Sequence, residues 1–256
     1  MARIEIAQLE KIYPSEAHST GLRALDRVTF DVADQEFVCI LGPSGCGKST
    51  ILNILSGLDT QYGGEIRIGG RPLNGGVHDV RIAYVFQEPR LLPWLTVADN
   101  LRFALECEGV PRASWDEQIT RYLGLVGLAG FARAYPHQLS GGMQQRASIA
   151  RSFAVEPDVL LMDEPFSGLD EITARRLRKE LLSIWRLTHK TILFVTHNCF
   201  EATFLADRIL LMSSRPGRVY EEVPIDLPRP RDYDDPNLFA VNAGIVRNFL
   251  KTIGEE

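Results

Sequence analysis

The sequence predicts an α/β fold, and three observations carry that expectation. The apolar run Phe37-Val38-Cys39-Ile40 leads straight into LGPSGCGKST (41–50), after which Ile51, Leu52, Ile54, Leu55 and Leu58 recur at helical spacing. A second apolar run, VLLMDE (159–164), ends in two carboxylates, as a buried parallel strand does when its C-terminal end reaches a site. Further buried-strand patterns at 81–86, 191–196 and 208–213 alternate with helical ones such as Ala174–His189, whose apolar positions are Leu177, Leu181, Ile184, Trp185 and Leu187.

Composition bounds the rest. The 256 residues suit one large domain, or a core with an inserted subdomain, and are 45% hydrophobic and 24% charged. No apolar run is long enough to span a membrane, and MARIEIAQLEKIY lacks the apolar centre of a secretory signal, so the expectation is a protein that stays in the compartment where it is made. A net charge of −5 with interspersed signs argues against a nucleic-acid binder. Cys39, Cys46, Cys107 and Cys199 form no CxxC pair and read as reduced thiols, with Cys46 a small residue filling a tight loop.

The stretch from Gly42 to Ser49 matches G-x-x-x-x-G-K-[ST]. Gly42, Gly45 and Gly47 permit backbone angles that a Cβ forbids, so N–H groups can turn inward as an anion nest. Lys48 supplies a positive charge for the outer phosphates, the Ser49 hydroxyl can hold Mg²⁺, and the following helix points its positive end at the phosphates. A glycine-rich surface turn is the alternative; the flanking strand and helix favour a nucleoside triphosphate. Beside such a loop, Asp163 is placed to support Mg²⁺ through water and Glu164 to polarise an attacking water. At LSGGMQQ (139–145), Ser140 reads as the N-cap of a helix from Met143 to Phe153, with Gly141 and Gly142 exposing further backbone N–H groups. Two phosphate cradles in one chain make sense if the second serves another subunit.

These motifs, in this order, resemble the ATP-binding subunit of an ATP-binding-cassette (ABC) transporter along nearly the whole chain. GPSGCGKST resembles Walker A, LSGGMQQR the family signature, VLLMDEP Walker B, FSGLD (166–170) the D-loop, and His197 in FVTHN the switch histidine. Gln87 in YVFQEP stands at the Q-loop position, and Tyr13 in LEKIYP matches the aromatic that stacks on adenine. VFQEPRLLPWLTVADNL (85–101), YPHQLSGGMQQRASIARSF (135–153) and LADRILLMSSRPGRV (205–219) are similar to the nitrate, sulfonate and taurine importer ATPases.

The resemblance implies a P-loop NTPase (RecA-like) core with an N-terminal antiparallel β subsheet, to which Glu65-Ile66-Arg67-Ile68 is suited, and an inserted α-helical subdomain. The implied layout is an ATP-binding core at 1–90 and 151–235 (one ABC domain, about 4–235), the helical signature subdomain at 91–150, and a C-terminal helix at 236–256 after a linker at Pro224, Pro228 and Pro230, with no regulatory domain following. It also implies a head-to-tail homodimer with two ATP at its interface. Gly42, Pro43, Ser44, Gly45, Cys46, Gly47, Lys48, Ser49, Thr50 and Tyr13 would bind ATP; Ser140, Gly141, Gly142 and Gln144 would meet the partner's ATP. Glu164 would be the general base, Gln87 and His197 would sense the γ-phosphate, Asp170 would link the two sites, and Ser49, Gln87 and (through water) Asp163 would hold Mg²⁺. Leu91, Leu92 and Trp94 would form a groove for a membrane partner. Two permease subunits and, indirectly, a solute-binding protein follow, with the chain at the cytoplasmic face of the cell membrane.

Plainer readings stand beside some of these: a half-buried strand-end aromatic for Tyr13, ordinary packing at a subdomain joint for Trp94, and a solvated face for Arg175, Arg176, Arg178 and Lys179. Asn198 follows His197 where relatives often carry Asp. The functional expectation is import of a small anion such as nitrate, an aliphatic sulfonate or taurine, the alternatives being bicarbonate or a thiamine precursor. An exporter or lipoprotein-release ATPase shares the core. A soluble repair or translation ATPase would carry a coiled coil or two cassettes, and a small-molecule kinase would not need LSGGMQQ.

Overall fold

The computed structural model describes residues 2–14, 21–73 and 80–253. They fall into two compact units, Met1–Val80 with Thr191–Glu256, and Arg81–Lys190.

The first unit opens with the antiparallel strands β1 (Ile4–Tyr13) and β2 (Leu22–Val32), then β3 (Phe37–Leu41), helix α1 (Lys48–Leu55), and the short strands β4 (Gly63–Ile68) and β5 (Arg71–Pro72). Strands β1, β2, β4 and β5 form the antiparallel sheet, in the order β2-β1-β4-β5. Alternation drives it: Ile4, Ile6 and Leu9 of β1 and Ile66 and Ile68 of β4 are buried, while Ala7, Gln8, Glu65 and Arg67 face solvent. The β1–β4 register shifts between Ala7 and Glu10. Gln8 takes a left-handed φ of 52° there, and Gly64 sits so close that a Cβ would lie 2.3 Å from the Gln8 carbonyl oxygen.

The second unit begins with β6 (Ile82–Val85), α2 (Val97–Cys107), α3 (Trp115–Leu125), α4 (Gly141–Ala154), β7 (Val159–Asp163) and α5 (Glu171–Thr188). Strands β6 and β7 pair in parallel, and α4 packs on α2, α3, α5 and β6. The boundary expected at 150 falls inside α4, which continues to Ala154.

The chain returns to the first unit with β8 (Thr191–Thr196), α6 (Cys199–Leu205), β9 (Arg208–Met212), β10 (Val219–Pro224) and α7 (Pro236–Ile253). Here β3 lies between β8 and β9, parallel to both, and β10 pairs antiparallel with β9. All residues of β3 and β8 are buried, as strands covered on both faces must be. Leu238 and Ile245 bury one stripe of α7, which packs on α6 and β9; the expected helix end at 254–256 lies outside the described residues.

Two sequence expectations need correction. Leu58 is exposed because α1 ends at Leu55, stopped by Ser56 and by Gly57 at φ 77°; Leu187 is exposed in the last turn of α5, before His189 ends the helix in a left-handed conformation. In the basic run of α5, Arg178 is no solvated residue. It is 1% exposed, and its guanidinium donates through two nitrogens to the two oxygens of Glu171 at 3.2 and 3.3 Å. It lies four residues from the buried Ala174 and so falls on the inward stripe.

Candidate nucleotide site

In each unit, a pair of neighbouring parallel strands ends together and delivers expected site residues, the usual place for a ligand in an α/β sheet. In the first, Leu41 of β3 registers with Thr196 of β8, so the glycine loop and His197 leave adjacent strand ends. In the second, Val85 of β6 registers with Met162 of β7, so Gln87 emerges beside Asp163 and Glu164.

The loop from Gly42 to Thr50 is built as its glycines require. Gly47 has φ 104°, and a Cβ there would sit 2.6 Å from Leu25 Cδ2; a Cβ on Gly42 would sit 2.7 Å from Cys46 Sγ. The Cys46 side chain is buried and fills the loop's underside, the small-residue role read from the sequence. Lys48 is 4% exposed and donates to the carbonyls of Gly42 (2.8 Å) and Pro43 (2.9 Å), so its ammonium is stored in the cradle itself. Pro43 is half-buried, and Ser44, Gly45 and Ser49 face solvent.

Tyr13 ends β1, half-buried, with its hydroxyl donating to the Asp59 carboxylate (3.2 Å) and 3.4 Å from Thr50 Oγ1 on α1. Lys11 is buried, contacts Asp59 at 2.6 Å, and has its ammonium 4.8 Å from the Tyr13 ring centre. Burial disfavours the charged Asp59 carboxylate, but the Lys11 hydrogen bond and the Gln61 N–H outweigh it and hold the pKa below the ordinary value. This trio ties the expected adenine-stacking ring to the phosphate-loop helix. The Lys11–Asp59 pair was invisible to motif reading, since the two residues stand far apart in sequence.

His197 is exposed, and its backbone is fixed from both sides. Thr196 Oγ1 donates to the buried Glu201 Oε2 at 2.7 Å and accepts from the Asn198 N–H at 3.0 Å. Asn198 Oδ1 in turn accepts from the N–H groups of Phe200 (2.9 Å) and Glu201 (3.1 Å), capping α6. Asn caps as well as Asp, which gives the departure at this position a structural sense.

In the second unit, Tyr84 donates to Asp163 Oδ2 at 3.2 Å; burial and that carboxylate both push the phenol's pKa up. Glu164 takes a left-handed φ of 43°, an uncommon conformation for a side chain of its size, and its carbonyl accepts from Ser167 N (3.1 Å) and Oγ (2.9 Å). Gln87 is exposed and lines a cleft with Phe86, Arg90, Asp163 and Ser167. The segment around it is gripped by α4: Gln145 donates to the Phe86 carbonyl (3.4 Å), and Arg151 to those of Arg90 (2.8 Å) and Pro89 (3.1 Å).

The Ser140–Gly142 turn is capped as expected, Ser140 Oγ accepting from the Met143 N–H at 3.3 Å. A Cβ on Gly142 would lie 2.8 Å from Thr173 Cγ2, and Asp170 caps α5 by accepting from the Thr173 N–H at 3.0 Å. That bond, with the Thr173 hydroxyl, holds the Asp170 carboxyl below its usual range. Ser140, Gly141, Gly142 and Asp170 thus line one cleft, joined by Arg146, which ends the signature run, and by Arg176 of the basic stretch in α5. Gln144 faces elsewhere: its Nε2 donates to the carbonyls of Pro136 (3.0 Å) and Leu139 (3.3 Å), so it shapes the turn from behind.

Trp94 is 70% exposed, and Leu91 and Leu92 are half-buried. Their turn is wired by the fully buried Asn100, which accepts from the Leu92 N–H (2.7 Å) and donates to the carbonyls of Leu92, Leu95 and Thr96. The indole is thus presented on a turn held by four hydrogen bonds to one buried amide.

Among the described residues, no three His, Cys, Asp or Glu side chains form a metal cage. The oxygen donors expected for Mg²⁺ divide between the units, Ser49 in the first and Gln87 and Asp163 in the second, and are of the kind this ion takes together with phosphate oxygens and water. No helix among the described residues is long and apolar enough to cross a membrane.

The ABC transporter family profile matches residues 25–167. An uncharacterized ABC transporter ATP-binding protein of Methanocaldococcus jannaschii is 45% identical over 230 residues, 90% of this chain and 85% of that protein. An aliphatic sulfonates import ATP-binding protein of Burkholderia lata is 47% identical over 222 residues (87% and 79%), and one of Bacillus subtilis 37% identical over 249 (97% and 95%). Among solved structures, a dimeric post-hydrolysis ATP-binding cassette bound to ADP and Pi superposes with a TM-score of 0.75 at 31% identity, covering 88% of this chain and all of that one.

Proposed function

The chain belongs to the ABC transporter family, and from that premise we propose that it is the ATPase subunit of an importer for a small anionic solute, with aliphatic sulfonates first among the candidates. It is an ATP hydrolase coupled to transport. The observation that carries the site assignment is the double register, Leu41 with Thr196 and Val85 with Met162, which groups binding loop with switch histidine and Gln87 with the two acids. Import and sulfonate rest on the named relatives in Burkholderia lata and Bacillus subtilis.

In the proposed cycle, the Gly42–Thr50 amides receive the phosphates and Lys48 exchanges its two carbonyl partners for phosphate oxygens. Tyr13 stacks on the base. Ser49 and Gln87, with Asp163 through water, would hold Mg²⁺, which would supply charge neutralisation at the outer phosphates. Glu164 takes the proton of the attacking water, while His197 and Gln87 hold the γ-phosphate in line. Two copies close head to tail, Ser140–Gly142 of each completing the other's site and Asp170 linking the two; Gln144 supports this turn. Closure drives two permease subunits through the Leu91, Leu92 and Trp94 surface and keeps the chain at the cytoplasmic face of the membrane.

Glu164→Gln tests the core of this. The expected result is ATP-dependent dimerisation by light scattering, with turnover lowered about a thousandfold or more, as when a principal catalytic proton acceptor is lost. Tight ATP binding by a chain that stays monomeric would refute closure by the protein alone; near-normal turnover would remove Glu164 from the chemistry.

A further inference from the structure

The glycine loop has a support that no motif marks. After β9 the chain turns through Ser213–Arg218, and that turn is tied to β2: the Gly217 N–H donates to the Ala24 carbonyl (2.9 Å) and the Asp26 N–H to the Gly217 carbonyl (3.0 Å). Arg218 pairs with the buried Asp26, whose carboxyl this contact holds below the usual range against the opposing effect of burial. Ser213 Oγ closes the turn on the Pro216 carbonyl at 3.2 Å.

From this fixed turn, two contacts reach the loop. Gly217 is packed so tightly that a Cβ would lie 2.0 Å from the Cys46 carbonyl oxygen. Arg215, exposed, sends both Nε (3.1 Å) and Nη2 (3.0 Å) to one acceptor, the carbonyl of Gly45, whose φ is +77°. A trans peptide points its C=O and N–H in opposite directions. Holding the Gly45 oxygen from outside therefore turns the Cys46 N–H inward, where it reaches the Pro43 carbonyl at a long 3.4 Å. Such a donor is readily given to a better acceptor.

We propose that Arg215 is a positioning residue for nucleotide binding: its guanidinium fork fixes the Gly45–Cys46 peptide with the N–H facing the phosphate. The assignment rests on reading Gly42–Thr50 as the ATP loop. A charged donor on a backbone carbonyl is worth more than a neutral one, and orienting one loop amide before binding removes an ordering cost.

The test is titration of the purified full-length chain with ATP and ADP, alongside steady-state ATPase kinetics, for Arg215→Ala, Arg215→Lys and Lys48→Ala. Arg215→Ala is expected to weaken both nucleotides about tenfold, the effect of one hydrogen bond to a charged group, with KM for ATP rising more than kcat falls. Arg215→Lys recovers part of the loss, since it restores charge without the fork. The nucleotide-free melting temperature stays within about 2 °C, as for an exposed substitution. Unchanged affinity in Arg215→Ala, while Lys48→Ala abolishes binding, overturns the role of Arg215 alone. A loss of affinity matched by a lower nucleotide-free melting temperature overturns it too, since Arg215 would then be a stability residue. Normal ATP binding by Lys48→Ala brings down the loop assignment and this proposal with it.

Discussion

Replacing Asp59 by Asn removes one charge from beneath the expected adenine platform, and the outcome can be worked through. Lys11 is 4% exposed, and its ammonium has two close partners: Asp59 at 2.6 Å and the Gln61 carbonyl at 2.5 Å. Asn keeps one acceptor oxygen near the ammonium and puts its NH₂ where the Tyr13 hydroxyl can accept from it, so the side-chain volume is nearly unchanged. What disappears is the counter-charge of a lysine that water cannot reach. Removing one partner of a well-buried pair costs about 3–5 kcal/mol; with Asp59 only half-buried and Gln61 still in place, about 2 kcal/mol is expected here. For a unit of this size that lowers the melting temperature by about 4–8 °C. Adding Lys11→Met to Asp59→Asn should recover most of it, because no charge is then left stranded.

Acid gives an independent check. The native Asp59 pKa is depressed, with the Lys11 hydrogen bond overcoming burial, so its stabilising contribution is full above the unfolded value of about 4 and fades as pH falls through the lower native value. The gap between parent and Asp59→Asn should therefore hold at pH 7 and narrow below about pH 4. Thermal melts of the parent, the single and the double variant at several pH values are the assay. An Asp59→Asn protein as stable as the parent, or a double variant no better than the single, would refute the buried-pair argument.

Two further outcomes are expected. Asn198→Asp should preserve the α6 cap and ATPase turnover, whereas Asn198→Ala should cost about 1 kcal/mol of stability and lower turnover by loosening the backbone that carries His197, seen in parallel melts and phosphate-release assays. Trp94→Ala should leave the ATPase of the isolated protein intact and abolish stimulation by a reconstituted permease; full stimulation would return Trp94 to the bland surface.

The motifs were legible because their chemistry is local in sequence. A strand, a glycine turn and a helix start within fifteen residues write the phosphate loop, and Ser140 and Asp170 cap the helices that follow them. The five parallel strands, β3 and β6 to β9, were legible as short apolar runs. Side chains whose meaning comes from a distant partner were not: Lys11 waits on Asp59, Arg151 on Pro89 and Arg90, Arg215 on Gly45. Arg178 was misread because a charge run looks solvated until helical phase is applied residue by residue, and the hold of Gln144 on the Pro136 and Leu139 carbonyls is likewise a contact no motif displays.

The register of β3 against β8 also limits how this chain can vary in length. Leu41 and Thr196 are held abreast by the sheet's own hydrogen-bond ladder, so the distance from phosphate loop to His197 is measured by strand pairing, not by the 150-odd residues threaded between them. Those residues can lengthen or shorten at their turns without moving either motif. One residue added inside β3 or β8 cannot be absorbed so: with a side-chain period of two, it turns every later side chain of that strand to the opposite face. For anyone grafting or shuffling cassettes, the two strands are one part, to be transplanted together with both of the loops that leave them.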